Sequence, residues 1–519
     1  MRVLLINPPY QTLTSNLGVG HQVPLGLLMI GGALLDHGHE VRLLDAEAER
    51  LSIDEILERT LAFKPTVIMT GHAGSTPAHP VCVRMLQALK QSIPSSVTVY
   101  GGVYPTYHAR EILMKEQAID VIVRGEGEAT VLELLAQLEH HSVVDSAHAT
   151  AGLCFRSTNE IISTVDRPAI RNLDDYRIGW ELIQDWDRYQ CFGLGRSAII
   201  QLSRGCPHRC TYCGQHGFWV SWRHRDPIRV ADEIQWLHDK QGVRFITLAD
   251  ENPTTLPEVW RSFLEEVASR KIDMHFFATI RATDIVRDEA ILPLYRSAGL
   301  LYILMGVDTV DGEVQAQIRK NSTLATDRRA CQLLRQNGIF AMLGYIVGFE
   351  EENWRSYRRA RQRLNEYDAD LLNAMFVTPH RWTPFADEQR DRLVIQSDLN
   401  KWDYRHQVLA HRDLATWKVF AGVKWLEVCF HLHPRRLRGW LSAGSFMRRQ
   451  IAWCFFHTGL VWLGEILEFV FATRTLKPGQ PLRSWQTTRA DPQTEELRST
   501  ADGKRLVTER VLAPLQRIR

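Results

Sequence analysis

The chain lacks an excess of charge of either sign. Its 62 lysines and arginines stand against 60 aspartates and glutamates, a net of +2, so no strong field draws it to a nucleic acid. A second Cys-x2-Cys knuckle is also missing although nine cysteines are present, and those outside one motif are scattered, which fits a reducing compartment and excludes a disulfide framework. The opening Met-Arg-Val-Leu-Leu-Ile-Asn-Pro-Pro holds an apolar run of only four residues, short of the roughly seven or more of a secretory signal, and the amino terminus is expected in the cytoplasm. A membrane helix needs about twenty predominantly apolar residues; the best candidate stretch, 451–472, is interrupted by His457, Glu465 and Glu468, and charges near a helix centre are costly in lipid.

What is present is a chain of 519 residues, 45% of them hydrophobic, enough for roughly three domains with their own cores. Its most informative stretch is Arg204-Gly-Cys-Pro-His-Arg-Cys-Thr-Tyr-Cys-Gly-Gln, in which Cys206, Cys210 and Cys213 have the spacing C-x3-C-x2-C. Three thiolates from one tight loop grip three irons of a cubane cluster, whereas four-cysteine electron carriers close every iron. The open iron can chelate the amino and carboxylate groups of S-adenosylmethionine and pass an electron into its sulfonium, releasing a 5′-deoxyadenosyl radical. Structural zinc is the rival, with His208 or His216 as fourth ligand, but such sites usually draw on two separated knuckles.

Short β-branched runs at 3–6, 40–44, 66–70, 97–100 and 120–123 alternate with helical periodicity at 25–37, 53–62 and 80–92, a pattern that predicts a parallel sheet covered on both faces. Ligands of such sheets bind outside the carboxyl ends of the strands. Those ends carry Asn7 and Pro8; Gly71, His72 and Ser75; Gly101, Gly102 and Tyr104; and Gly125 and Glu126, where glycines permit close backbone approach to a bulky ligand or simply form turns. Taken alone, the sheet also suits a flavodoxin-like regulatory domain.

A second alternating series places strands at 198–202, 245–249, 275–279, 301–306, 340–347 and 371–378, separated by helices. Six strand–helix units predict an open partial barrel with its chemistry at the carboxyl ends of the strands, and the cysteine loop directly follows the first. The expected fold is therefore α/β: a Rossmann-like sheet over 1–140, a connector over 141–195, a partial (β/α)6 barrel over 196–390, a helical region over 391–475 and a polar, mobile tail over 476–519. An in-plane or core helix is expected at 451–472, preceded by the basic cluster Arg435, Arg436, Arg438, Arg448 and Arg449.

The cluster loop, the glycine-rich strand ends and the domain order together resemble the cobalamin-binding radical S-adenosylmethionine enzymes. Within that class, Arg225-Asp-Pro, Leu248-Ala-Asp-Glu-Asn-Pro-Thr, Thr283-Asp-Ile-Val-Arg-Asp-Glu, Gly344-Tyr-Ile-Val-Gly-Phe-Glu and Val377-Thr-Pro-His-Arg-Trp resemble the anaerobic magnesium-protoporphyrin IX monomethyl ester cyclase family. The resemblance implies a 4Fe-4S cluster on Cys206, Cys210 and Cys213, with Tyr212 near the adenine. It implies a carboxylate for the methionine amino group at Asp250 or Glu251, where relatives carry Gly-Gly-Glu. It puts Asp308 against the ribose, unless Asp308 merely caps a helix, and Gly344 to Gly348 beside the adenine.

Cobalamin is implied at the first sheet. Cobalamin mutases supply a cobalt-ligating histidine from Asp-x-His-x-x-Gly; here the strand end reads Thr70-Gly-His72-Ala-Gly-Ser75, without the carboxylate that would orient the imidazole. His72 is expected to contact the corrin without ligating cobalt. The implied activity is oxygen-independent closure of the isocyclic ring of chlorophyll precursors, with a keto oxygen from water, a tetrapyrrole substrate and a reductant such as flavodoxin or ferredoxin. His216 or His380 are candidates for an axial bond to magnesium, and the setting is the cytoplasm with peripheral membrane contact. Two other functions fit the same architecture: a cobalamin-dependent radical methylase and a non-catalytic cobalamin sensor. No general acid, base or nucleophile stands out.

Overall fold

The computed structural model describes residues 1–485 except 17, 18, 73–75, 159 and 216. Five parallel strands, β1 (Arg2–Asn7), β2 (Glu40–Asp45), β3 (Val67–His72), β4 (Val97–Gly102) and β5 (Val121–Val123), open the chain. Along β1, Val3 and Leu5 enter one core while Leu4 and Ile6 enter another, as a strand covered on both faces requires. The covering helices are α1 (Leu25–Asp36), α2 (Ile53–Phe63), α3 (His79–Ser92), α4 (Val103–Lys115) and α5 (Glu128–Leu138). Local chemistry sets their ends: α2 begins with a Ser52–Glu55 capping box and stops at Lys64 in left-handed conformation.

The sheet does not end at residue 140. Strands β6 (Leu153–Ser157) and β7 (Glu160–Ser163) add antiparallel to β5, giving a seven-stranded mixed sheet ordered β2-β1-β3-β4-β5-β6-β7. The stretch read as a connector thus supplies a hairpin that covers the β5 edge, as exposed strand edges require.

Strand β8 (Ser197–Ile200) opens the second unit. The two-residue strands β9 (Ser203–Arg204) and β10 (Arg223–His224) pair antiparallel and pinch the base of the cysteine loop. Then β11 (Phe245–Leu248), β12 (His275–Thr279), β13 (Leu300–Asp308), β14 (Phe340–Val347) and β15 (Leu371–Phe376) complete a six-stranded, all-parallel sheet. The strands follow one another from β8 to β15 without pairing at the ends, so the barrel stays open. Among its helices, α6 (Pro227–Gln241) shows clear punctuation: Asp226 caps it, Pro227 occupies its first position and Gly242 ends it at φ +67°.

The carboxyl-terminal helices are α7 (Thr416–His431), α8 (Pro434–Ser442) and α9 (Ser445–Glu468), the last continuing through a π-turn at Phe469–Thr473. They start later than residue 391; the intervening segment is irregular, with Leu393 bridged to Pro481 and Val394 to Leu409. The described part of the tail is not free either. Leu482 is fully buried, and the Trp485 carbonyl accepts from Arg381, because the apolar side chains at 482 and 485 supply an anchor that the polar composition around them masked. Residues 486–519 lie outside the described residues.

Candidate active site: the cluster loop and the cobalamin edge

The three cysteines occupy the turn-rich loop between β9 and β10, all as free thiols. Cys206 is exposed and Cys210 buried, and the Cys213 amide donates to the Cys210 carbonyl at 3.3 Å. Burial pushes the Cys213 thiol up to about 12, so loading iron must displace its proton. Among the described residues no three His, Cys, Asp or Glu side chains converge on a single ion. Structural zinc usually draws on two separated knuckles, whereas a cubane takes one thiolate on each of three irons. The donor set therefore fits an iron–sulfur cluster.

Asp250 and Glu251 follow the carboxyl end of β11 and have different surroundings. Asp250 accepts from the amides of Leu202 (3.1 Å) and Ser203 (2.5 Å) and from the Ser203 hydroxyl (2.6 Å); burial still pushes its carboxyl up to about 7. Glu251 accepts from the Gly205 amide (3.1 Å) and the Trp219 indole (2.6 Å). A carboxylate offers about four lone-pair sites, so Glu251 keeps more free acceptor capacity and is also the less buried of the two.

Asp308 adopts φ +63° at the end of β13 and accepts from the Tyr212 hydroxyl at 2.6 Å, with Lys320 Nζ also at 2.6 Å. The helix-cap alternative fails: the following short helix, Gly312–Gln317, is capped by Asp311. Gly344 faces Gly306 across β13 and β14, and Gly348 holds φ +92°. Tyr212, Asp308 and Lys320 thus form one network beside the cysteine loop. The lysine was missed from sequence because it lies on a loop with no motif of its own.

At the first sheet the proposed ligand residues separate into two groups. A Cβ at Gly125 would meet nothing within 4 Å, and at Gly101 it would meet only Val123, at 3.7 Å or more. These positions leave room for a ligand, and Gly125 at φ +74° needs glycine in any case. At Gly71 and Gly102 a Cβ would instead strike the backbone of the adjacent strand, at 2.8 Å and 2.7 Å. Strand packing by itself requires glycine there. Asn7 is buried with its amide donating to Asp45, at 2.7 Å. Pro8 is buried beyond β1, and His72 ends β3 edge-on to Tyr10 with centroids 5.5 Å apart. Ser75 and His216 lie outside the described residues.

Tyr104 and Glu126 serve the contact between the two units. Tyr104 is buried, stacks on His79 and accepts from Arg381 at 2.9 Å. Glu126 meets Arg223 at 2.7 Å and Arg204 at 3.6 Å, while Glu128 meets Arg204 at 2.5 Å. Arg204 stands two residues before Cys206, so acidic groups at the carboxyl end of β5 hold the cluster loop directly. Nearby, Trp382 stacks on Tyr107 and donates to the Gly214 carbonyl. His380 is fully buried, bonded through Nδ1 to Thr76 (2.9 Å) and through Nε2 to Tyr404 (2.7 Å), and burial lowers its pKa to about 3. With both nitrogens engaged it is not free to ligate magnesium, which corrects that expectation. The ligand edge of the sheet and the cysteine loop consequently face one interface.

Comparisons with known proteins agree with this geometry. The B12 binding domain matches residues 18–135 and the Radical SAM superfamily residues 200–364. TsrM from Kitasatospora setae, a radical S-adenosylmethionine methyltransferase solved with cobalamin and a [4Fe-4S] cluster bound, is similar with a TM-score of 0.68 at 16% identity, covering 89% of this chain and 99% of that one. OxsB, solved with aqua-cobalamin and S-adenosylmethionine, is similar with a TM-score of 0.65 at 15% identity over 99% of this chain and 80% of its own. Fold and site together define a cobalamin-dependent radical S-adenosylmethionine enzyme.

The chain belongs to the anaerobic magnesium-protoporphyrin IX monomethyl ester cyclase family. It is 44% identical to the cyclase of that name from Synechocystis sp. over 93% of this chain and 97% of the relative, and 31% identical to that of Cereibacter sphaeroides over 88% and 74%. The hopanoid C-3 methylase of Methylococcus capsulatus is more distant, at 23% identity over 82% and 79%.

Proposed function

We propose that this chain closes the isocyclic ring of magnesium-protoporphyrin IX monomethyl ester without dioxygen, the keto oxygen coming from water. The observation that carries this reading is the 44% identity over nearly the full length of both this chain and a relative of that name. The complete three-cysteine loop speaks against a non-catalytic sensor, which needs no open iron.

When bound, the cluster and S-adenosylmethionine supply the radical that removes hydrogen from the substrate side chain. The chain's own residues position these groups. Cys206, Cys210 and Cys213 hold the cluster. Glu251 takes the methionine ammonium through its remaining lone pairs, while Asp250 braces the loop at Leu202 and Ser203. Asp308, oriented by Tyr212 and Lys320, takes a ribose hydroxyl. Gly101, Gly125 and His72 would line the cobalamin edge. The working units are a sheet unit ending near 163, a barrel over about 196–390 and a helical cap beyond it. Electrons come from a reduced flavodoxin or ferredoxin, and the enzyme works in the cytoplasm in peripheral contact with the membrane.

Anaerobic reconstitution followed by incubation with the porphyrin ester and a reductant tests the reading. Cyclised product with 5′-deoxyadenosine and methionine supports it; methylated porphyrin with S-adenosylhomocysteine would replace it with a methylase.

A further inference from the structure

Helix α9 is built inside out for a helix of a water-facing surface. Over Ser445–Thr473 it is long and apolar enough to cross a membrane, yet only 6% of its most apolar window is buried. Its acidic residues face inward: Glu465 pairs with Lys424 (2.5 Å) and Arg405 (3.2 Å), and Glu468 with His406 (3.1 Å) and Lys401. Residues Phe456, Leu460, Leu463 and Leu467 recur at helical spacing on the opposite side, and each is about half exposed or more, Phe456 reaching 64%. Phe471, one turn on, is 82% exposed. Exposed arginines close the stripe at both ends, Arg448 and Arg449 before it and Arg474 after it.

We propose that this stripe is a monotopic membrane anchor, seated in the plane of an anionic lipid leaflet. The proposal deepens the peripheral contact given above by naming the surface that makes it. An in-plane apolar helix face enters the headgroup–acyl boundary while flanking cations meet anionic headgroups. The occupant is lipid because the apolar stripe is bounded at both ends by positive charge, the pattern that an anionic bilayer complements. A crossing helix is disfavoured by geometry: Glu465 and Glu468 are tied to the protein body, and inserting them into hydrocarbon would break four ion pairs. The helix instead lies along the body with its stripe outward. It brings the active-site unit to the phase in which a hydrophobic porphyrin ester collects.

Flotation of the reconstituted full chain with phosphatidylglycerol–phosphatidylcholine vesicles and with pure phosphatidylcholine vesicles, at low and high salt, tests this without any turnover, so its failure is separate from failure of the cyclase reading. Binding that prefers the anionic vesicles and weakens with salt is expected. Leu460→Glu with Leu463→Glu should lower the partition about tenfold or more, and Arg448→Glu with Arg449→Glu should abolish the preference for anionic lipid. Both variants should keep the cluster absorption of the parent, which separates lost docking from lost folding. Absence of binding by the parent, binding resistant to salt and alkaline carbonate, or a dimer in detergent-free solution that the Leu460→Glu and Leu463→Glu changes dissociate would each overturn the proposal.

Discussion

Cys206, Cys210 and Cys213 stand out from spacing alone because three thiolates in one loop suit a cluster with one open iron better than structural zinc, which usually draws on two separated knuckles. Replacing any one by alanine is expected to abolish cluster assembly, measured as iron and sulfide content, whereas Cys331→Ala, buried under the barrel, should keep a full cluster. Full iron loading in any of the three loop variants would contradict the assignment. The choice between Asp250 and Glu251 was not legible, since it depends on how many lone pairs the folded loop consumes. With Glu251 as the ammonium acceptor, Glu251→Gln should leave the cluster intact and weaken S-adenosylmethionine binding about tenfold or more, the scale of one charge-assisted hydrogen bond of roughly 1.5–3 kcal/mol. Asp250→Asn should act on the loop itself and lower cluster yield. Titration of both variants by the perturbation of the cluster spectrum decides it.

At the scale of elements, strands of parallel sheets were readable as short β-branched runs between helices, and β1 to β5, β8 and β11 to β15 lie close to where those runs predicted, whereas the two-residue strands β9 and β10 had no such run. The hairpin of β6 and β7 was missed because it falls outside the strand–helix alternation that marked the parallel strands. Helix α9 was read as an in-plane or core helix; the sequence showed its acidic residues but not the side they face, which Lys424, Arg405, His406 and Lys401 decide.

That anchoring has a pH window. Burial disfavours the charged form of His406, but the Asp403 and Glu468 carboxylates outweigh it and raise its pKa from 6.5 to about 9. Its contribution is full below 6.5 and is lost as pH rises through 9. The His406 hydrogen bond, aided by Lys401, lowers Glu468 from 4.5 to about 2, so its contribution is present above 4.5 and is lost as pH falls through 2. Hydrogen exchange in residues 455–470, corrected for its intrinsic pH dependence, should show the helix held most firmly between 4.5 and 6.5 and loosening toward 9. Glu468→Gln should flatten that rise. Exchange indifferent to pH in the parent would show that the pair does not anchor the helix.

For the whole molecule, the sequence yielded two ligand edges, one on each sheet, but not the way they meet. Arg204, Glu126 and Glu128 all belonged to conspicuous stretches, yet their pairing is a property of tertiary placement between positions far apart in the chain. Arg204 and Glu128 are both nearly fully buried. Removing one member of such a pair costs about 3–5 kcal/mol when the other charge is stranded. Glu126 remains near Arg204, so Glu128→Gln should fall at the lower end. The variant is expected to melt earlier and to bind cobalamin more weakly while its three cysteines stay intact. Unchanged melting and cobalamin affinity would mean that the contact does not hold the two units together.

The central claim is that these two edges jointly serve an oxygen-independent cyclisation, and the most direct test is anaerobic turnover of magnesium-protoporphyrin IX monomethyl ester in water enriched in heavy oxygen. The account expects a cyclised product whose keto oxygen carries the label, formed together with 5′-deoxyadenosine and only when S-adenosylmethionine and a reductant are both present. A porphyrin that returns uncyclised and methylated, with S-adenosylhomocysteine as co-product, would contradict it.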